Sequence, residues 1–288
     1  MLVQVFKSDT MKKFYLLIII VFALWSCDKI KPPYTEEGGV AETGKKVLIE
    51  DFTGHLCNNC PRAHRELEHL KSIYGDQLIS IGIHVGNFAQ PLTENYFGED
   101  FRTETGNELN DFFGADDAGL PNGMVNMRKV NGNYLLSYTE WGSVVATILA
   151  EPQKLDLTTT AEFDTATRKL DVTVTAKVLK YFKADEGLKI CVYLTEDSIV
   201  GWQKDAENEG GEDIPDYVHR HVLRGSLNGT WGETINIDPT VYGSETDYKI
   251  TGFSVDTSYN YKQCYVIPFV YDAKTLEIIQ ADEAKIFN

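Results

Sequence analysis

The stretch from 50 to 61 reads EDFTGHLCNNCP, with Cys57 and Cys60 two residues apart between an apolar run and a helical pattern. Three chemistries suit such a pair: a redox dithiol, half of a metal site, or a disulfide that staples a turn. At a strand-to-helix junction, unpaired backbone N–H groups and the helix dipole favour the thiolate of Cys57, which makes it a nucleophile. Cys60, one turn later, can close a disulfide and resolve a mixed disulfide. Asp51 ends the strand ahead of the pair, where a partly buried carboxylate can carry the resolving thiol's proton. His55 lies near enough to tune the thiol. A zinc site would need two more ligands. His219 and His221 would serve on paper, but they fall in a different part of the chain, and no metal is expected. The bland reading of His64, His69 and His84 is surface or packing.

The elements that must hold these residues follow from pattern. KVLIEDF (46–52) is a short apolar run suited to a strand buried on both faces. Ala63, Leu67, Leu70 and Tyr74 recur at helical spacing. Pro61 suits the first turn of that helix and Gly75 its end. QLISIGIHVG (77–86) is a second buried strand, giving a βαβ unit with a right-handed crossover. An irregular aromatic insertion follows, then a short helix from Glu104 to Phe113. A loop runs to Pro121, and a strand is expected from Met124 to Val130. Asn131–Gly132 then forms a turn, with a strand from Tyr134. A closing helix buries Trp141, Val144, Val145, Ile148 and Leu149, and Pro152 ends it.

Beyond Pro152 the pattern changes to alternation, as in KLDVTVTAKVLKYF and YKQCYVIPFVYD. Several strands separated by turn residues predict an all-β sandwich. The expected boundaries are 47–151 for an α/β domain and 152–288 for a β-sandwich domain. Cys191 and Cys264 fall in strands of the second part and are candidates for a structural disulfide; two buried free thiols are the alternative. The loop DAENEGGEDIPD (205–216) is acidic but lacks the ligand spacing of a calcium loop, so a solvated loop is expected.

A net charge of −16 argues against nucleic acid and against adhesion to an anionic lipid surface by charge. From Met11 the chain reads MKKFYLLIIIVFALWSC, a basic start and an apolar run short of the roughly 20 residues a membrane helix needs. It reads as a signal peptide over residues 1–26, with Met11 the expected true start. LWSC resembles a bacterial lipobox, which implies cleavage before Cys27 and lipid on its thiol. Residues 27–46, rich in Pro and Gly, read as a lipidated tether spanning roughly 25 Å. An exported chain meets an oxidising compartment, so disulfides are permitted.

DFTGHLCNNC, in its βαβ context, resembles the strand-to-dithiol segment of the thioredoxin superfamily. GLPNGMVNMRKVNGN resembles that family's cis-proline loop. The resemblance implies Cys57 as nucleophile, Cys60 as resolving cysteine, Asp51 as buried acid and Pro121 as the cis-proline that receives substrate backbone. Leu120 beside it, with His55, is a binding candidate. Leu56 stands where the family usually has tryptophan, and Asn58–Asn59 where Gly–Pro is common. Over nearly the whole chain, the lipobox, EDFTGHLCNNCP, VHRHVLRGSLNGTWGE and VIPFVYDAKTLEIIQA resemble the outer membrane protein 28-related lipoproteins of Bacteroidetes. This implies a thioredoxin-like domain followed by an immunoglobulin-like β-sandwich, in an outer-membrane lipoprotein facing the periplasm or the surface. Two functions follow as expectations: thiol–disulfide exchange on exported proteins, or non-enzymatic surface binding with a structural Cys57–Cys60 bridge. No cofactor is expected, membrane contact is through the lipid anchor only, and oligomeric state is left open.

Overall fold

In the computed structural model, which describes residues 44–287, the chain opens on strand β1 (Val47–Thr53), every residue of which is buried. The expected signal peptide and Cys27 lie outside the described residues. The tether expected to reach 46 is already docked at its end: Lys45 Nζ lies 3.4 Å from Glu151, and Lys46 is paired with Asp282.

Helix α1 (Cys60–Tyr74) and strand β2 (Leu78–His84) complete the βαβ unit, with β2 parallel to β1 from Val47↔Leu78 to Thr53↔His84. Helices α2 (Glu104–Phe113) and α3 (Ala115–Ala118) lead to β3 (Asn122–Val125), antiparallel to β1. Thr103 caps α2 by accepting from Gly106 N at 2.9 Å. Helix α4 (Tyr138–Leu149) starts on a Ser137–Glu140 capping box, and all five side chains expected on its inner face are buried.

β3 is shorter than the expected 124–130 strand. Asn126 and Met127 take positive φ (50° and 43°), which ends the pairing. Asn126 gains from this break: its side chain accepts from Leu48 N at 2.7 Å and donates to Ile278 O at 3.1 Å. One buried amide thereby ties β1 to the far end of the chain.

The remaining strands are β4 (Leu155–Asp164), β5 (Lys169–Val178), β6 (Leu188–Glu196), β7 (Ile199–Lys204), β8 (Asp213–His219), β9 (Val222–Ser226), β10 (Glu233–Thr234), β11 (Glu245–Ser254), β12 (Cys264–Asp272), β13 (Ile278–Ala281) and β14 (Ala284–Lys285). Alternation along β5 buries Leu170, Val172, Val174, Ala176 and Val178, as period-2 patterning requires.

The sequence separates an α/β domain from a sandwich at Pro152, and the style of structure does change there. The sheet, however, runs on across the change, in the order β13-β12-β6-β9-β2-β1-β3. A second sheet, β11-β5-β4, faces part of it, and β7-β8 forms a separate hairpin. Residues from 44 onward form one compact unit. The reason is apolar continuity: Leu48 and Phe52 share one core with Tyr193, Ile267 and Phe269. On the other face of β1, Val47 and Ile49 pack with Ala63, Leu70 and Trp141. The third core lies between β5 and the sheet strands β6 and β12.

Cys191 and Cys264 are buried free thiols, the second of the two states that the sequence left open. Their strands do pair, but Cys264 sits opposite Glu196 at one end of the ladder and Cys191 opposite Phe269 further along it. Cys191 joins the core shared with β1, and Cys264 joins the core under β5. Thiols on opposite faces of a sheet cannot meet the short Cα separation a disulfide needs.

Candidate redox site at the end of β1

Where β1 ends, residues 54–59 turn into α1. Cys57 N donates to Gly54 O at 3.0 Å, and Cys60 N donates to Cys57 O at 3.3 Å. Cys57 therefore lies in the turn leading into α1, and Cys60 is the helix's first residue. The two sulfurs are bonded. Gly54 is required here: a Cβ would fall 2.5 Å from the Phe88 carbonyl, whose oxygen accepts from Leu56 N at 2.8 Å.

The register of β3 on β1, with Asn122 opposite Phe52, brings Pro121 to this same end of the sheet. The Leu120–Pro121 peptide is cis, and Leu120 packs against the core shared by β1 and β6. His55 is buried; its Nε2 lies 3.2 Å from Gln90 O, and its ring sits against Phe97 and Phe101. Burial lowers its pKa, opposed by the Gln90 contact. It faces the aromatic insertion, so it supports the turn from behind.

Asp51 is fully buried and neither carboxylate oxygen has a hydrogen-bond partner. Burial pushes its pKa up to about 8. Its neighbour Glu50 is equally buried and unpartnered, and is also pushed up to about 8. Alternation sends the two acids to opposite faces of β1. Asp51 shares its side with Thr53 and the α1 helix; Glu50 points into the core beside Cys191 and Tyr193. Sequence reasoning missed Glu50, although its place in an unbroken apolar run was a signal.

Sequence reasoning also missed the cover. The β7–β8 hairpin lies over the cysteine turn. Gln203, fully buried, donates from Nε2 to Cys57 O at 3.1 Å and to Gly54 O at 3.3 Å. Lys204 N donates to His55 O at 2.8 Å, and Ala206 N to Asn58 O at 2.9 Å. The acidic loop is solvated as expected over residues 206–212, but its start is tied to α1: Asp205 meets Arg65 at 2.8 Å and Glu207 meets Arg62 at 2.8 Å. Under this cover Cys57 is only 3% exposed.

Beside the cover is a cavity of about 310 Å³, lined among others by Asp51, Thr53, His64, His84, Tyr217 and His219. It lies beside the junction where β2 meets β9 at one position only, Gly82↔Val222, and Gly82 is among its lining residues. His221, which follows β8, also lines it. His64 links the two sides: Nε2 lies 3.1 Å from Thr53 Oγ1 and 3.5 Å from Asp51, and Nδ1 lies 2.7 Å from Tyr217 Oη. Burial, then the charge of Arg65, lowers His64 to about 4. Burial lowers His219 to about 3, so these imidazoles are neutral.

The family model described as outer membrane protein Omp28 matches residues 107–288, a span that begins after the cysteine pair. Among solved structures, HBP35 of Porphyromonas gingivalis is similar in fold, at 18% identity and a TM-score of 0.59, over 84% of this chain and 75% of that one. A domain of the outer membrane lipoprotein Omp28 from Porphyromonas gingivalis is 28% identical over 46% of this chain and 88% of its own length, with a TM-score of 0.31. No curated protein matches. Among the described residues no helix is long and apolar enough to cross a membrane. The family model spans more than half of the sequence, and the chain therefore belongs to the Omp28 family of outer membrane proteins and is a protein of the cell envelope.

Proposed function

We propose that this protein carries out thiol–disulfide exchange on exported proteins, held at the outer membrane by lipid on Cys27. In this reading residues 47–151 form a thioredoxin-like layer, and the strands after Pro152 form an immunoglobulin-like sandwich fused to it. The observation that carries the reading is a convergence at one end of β1: a Cys57–Cys60 pair at the start of a helix, the unpartnered Asp51, and Pro121.

In the reducing direction, the Cys57 thiolate attacks a substrate disulfide. One substrate thiolate leaves, and a Cys57–substrate mixed disulfide forms. Asp51, once it has released its own proton, takes the proton of Cys60 as a carboxylate, and the Cys60 thiolate attacks the Cys57 sulfur. The second substrate thiolate leaves, the Cys57–Cys60 bond closes, and two electrons have passed to the substrate. The oxidising direction is the reverse. Partners are exported proteins with accessible thiols or disulfides.

One observation favours a second reading. Cys57 lies almost wholly beneath the β7–β8 hairpin. In that reading the bridge is structural, and the protein is a surface binding lipoprotein without redox chemistry. The two readings separate in a trapping experiment. Cys60→Ser, incubated with a disulfide-bearing protein, is expected to accumulate a covalent adduct through Cys57. Cys57→Ser is expected to give none. Absence of any adduct with Cys60→Ser favours the structural bridge.

A further inference from the structure

Asp51 is buried without a hydrogen bond, so any proton it accepts must leave by some route. Its way along β1 is closed by Ile49 and the apolar core around Trp141. On the α1 side the structure is different. His64 lies 3.5 Å from Asp51 and is itself one-fifth exposed. Its other ring nitrogen lies 2.7 Å from the hydroxyl of Tyr217, which projects from β8. Tyr217, His64 and Asp51 all line the same cavity, whose rim carries Glu68 and Lys71. A carboxyl, an imidazole and a phenol thus stand in contact order from the buried strand to the hairpin.

We propose that Asp51 exchanges its proton with solvent through His64 and Tyr217, so that the hairpin after Pro152 completes the proton path of the cysteine site. The step balances without a redox partner. The Asp51 carboxyl proton passes to His64 Nε2, the Nδ1 proton passes to Tyr217 Oη, and the phenol proton passes to water in the cavity. Asp51 is left as carboxylate, and the solvent gains one proton. Thr53 holds the imidazole edge that faces Asp51. His64 and Tyr217 act through Asp51 and are positioning residues. The link of this path to turnover rests on the thiol-exchange reading; the path itself does not.

Glu50 supplies an internal control, because it is equally buried on the opposite face of β1 and is not among the residues that line the cavity. The experiment is infrared spectroscopy of the protein after mixing into D2O at pH 6, where both acids stay protonated. The two carbonyl bands are assigned with Asp51→Asn and Glu50→Gln. The Asp51 band is expected to shift on deuteration at least about tenfold faster than the Glu50 band. Tyr217→Phe keeps the ring that packs on His64 and His219 and removes only the hydroxyl. It is expected to slow the Asp51 band at least about tenfold and leave the Glu50 band unchanged, with free imidazole restoring the rate. His64→Gln serves as a second variant with the same expectation. An Asp51 rate unchanged in both variants overturns the path. So does an equal slowing of both bands, which reports altered opening of the whole fold. If the path is found but the unaltered protein exchanges no thiols, the path stands and the proposed function falls.

Discussion

Two pairs of cysteines in this chain meet opposite fates. Cys57 and Cys60 sit in a turn where the backbone reverses into a helix, and they are bonded. Cys191 and Cys264 sit mid-sheet on opposite faces, free and buried. Burial raises the Cys191 thiol well above its ordinary range and pushes Cys264 up to about 12. A thiol whose environment is dominated by burial in an apolar layer behaves as a small hydrophobe. The difference teaches that position, rather than residue type, assigns chemistry here. A helix start with a nearby acid holds a bonded pair, proposed here to be reactive, and a sheet interior holds two buried free thiols.

That contrast breaks most sharply by substitution. Cys57→Ser is expected to lower the rate of exchange with a small disulfide by at least about a thousandfold. Replacing Cys191 and Cys264 together with Ala is expected to leave the rate within about twofold. Loss of activity in the second variant, with the fold intact by circular dichroism, would erase the distinction.

A subtler test compares the two acids of β1. Both are protonated in the folded state up to about pH 8. In the unfolded chain they ionise above about pH 4. Between those values the folded state binds more protons, so stability falls as pH rises through the window. Glu50→Gln and Asp51→Asn are each expected to raise stability at pH 8 relative to pH 5 by at least about 1 kcal/mol. Urea unfolding at the two pH values reads this directly. Parallel curves for variant and unaltered protein would contradict the burial of a neutral acid.

The smallest effect concerns the rim. Arg65 pairs with Asp205 at 2.8 Å but is 45% exposed. Arg65→Ala is expected to reduce stability by less than about 1 kcal/mol. A larger effect in urea unfolding would mean that the acidic loop anchors the hairpin more firmly than exposed ion pairs do.

Much of the site nearest the cysteines was legible, because it is local. The apolar run of β1, Pro61 in the first turn of α1, and the Ala63–Leu67–Leu70–Tyr74 stripe all speak through spacing. What the sequence hid is long-range. Nothing around Gln203 says that its amide will seat on the Cys57 carbonyl. Nothing in His64 announces Tyr217. The ion pairs that tie the start of the acidic loop to α1 were hidden because their arginines lie far upstream. The shared sheet was hidden for the same reason: a one-residue junction at Gly82↔Val222 leaves no pattern. Asn126, whose positive φ ends β3, reads in sequence as one more strand residue.

The central claim is that Cys57–Cys60 is a working redox pair. Its most direct test is the equilibrium reduction potential in glutathione or dithiothreitol buffers, with Cys57→Ser as control. The account predicts a potential between about −120 and −270 mV with ready exchange, the range of redox catalysts. A potential below about −300 mV without exchange would mark a structural bridge and contradict it.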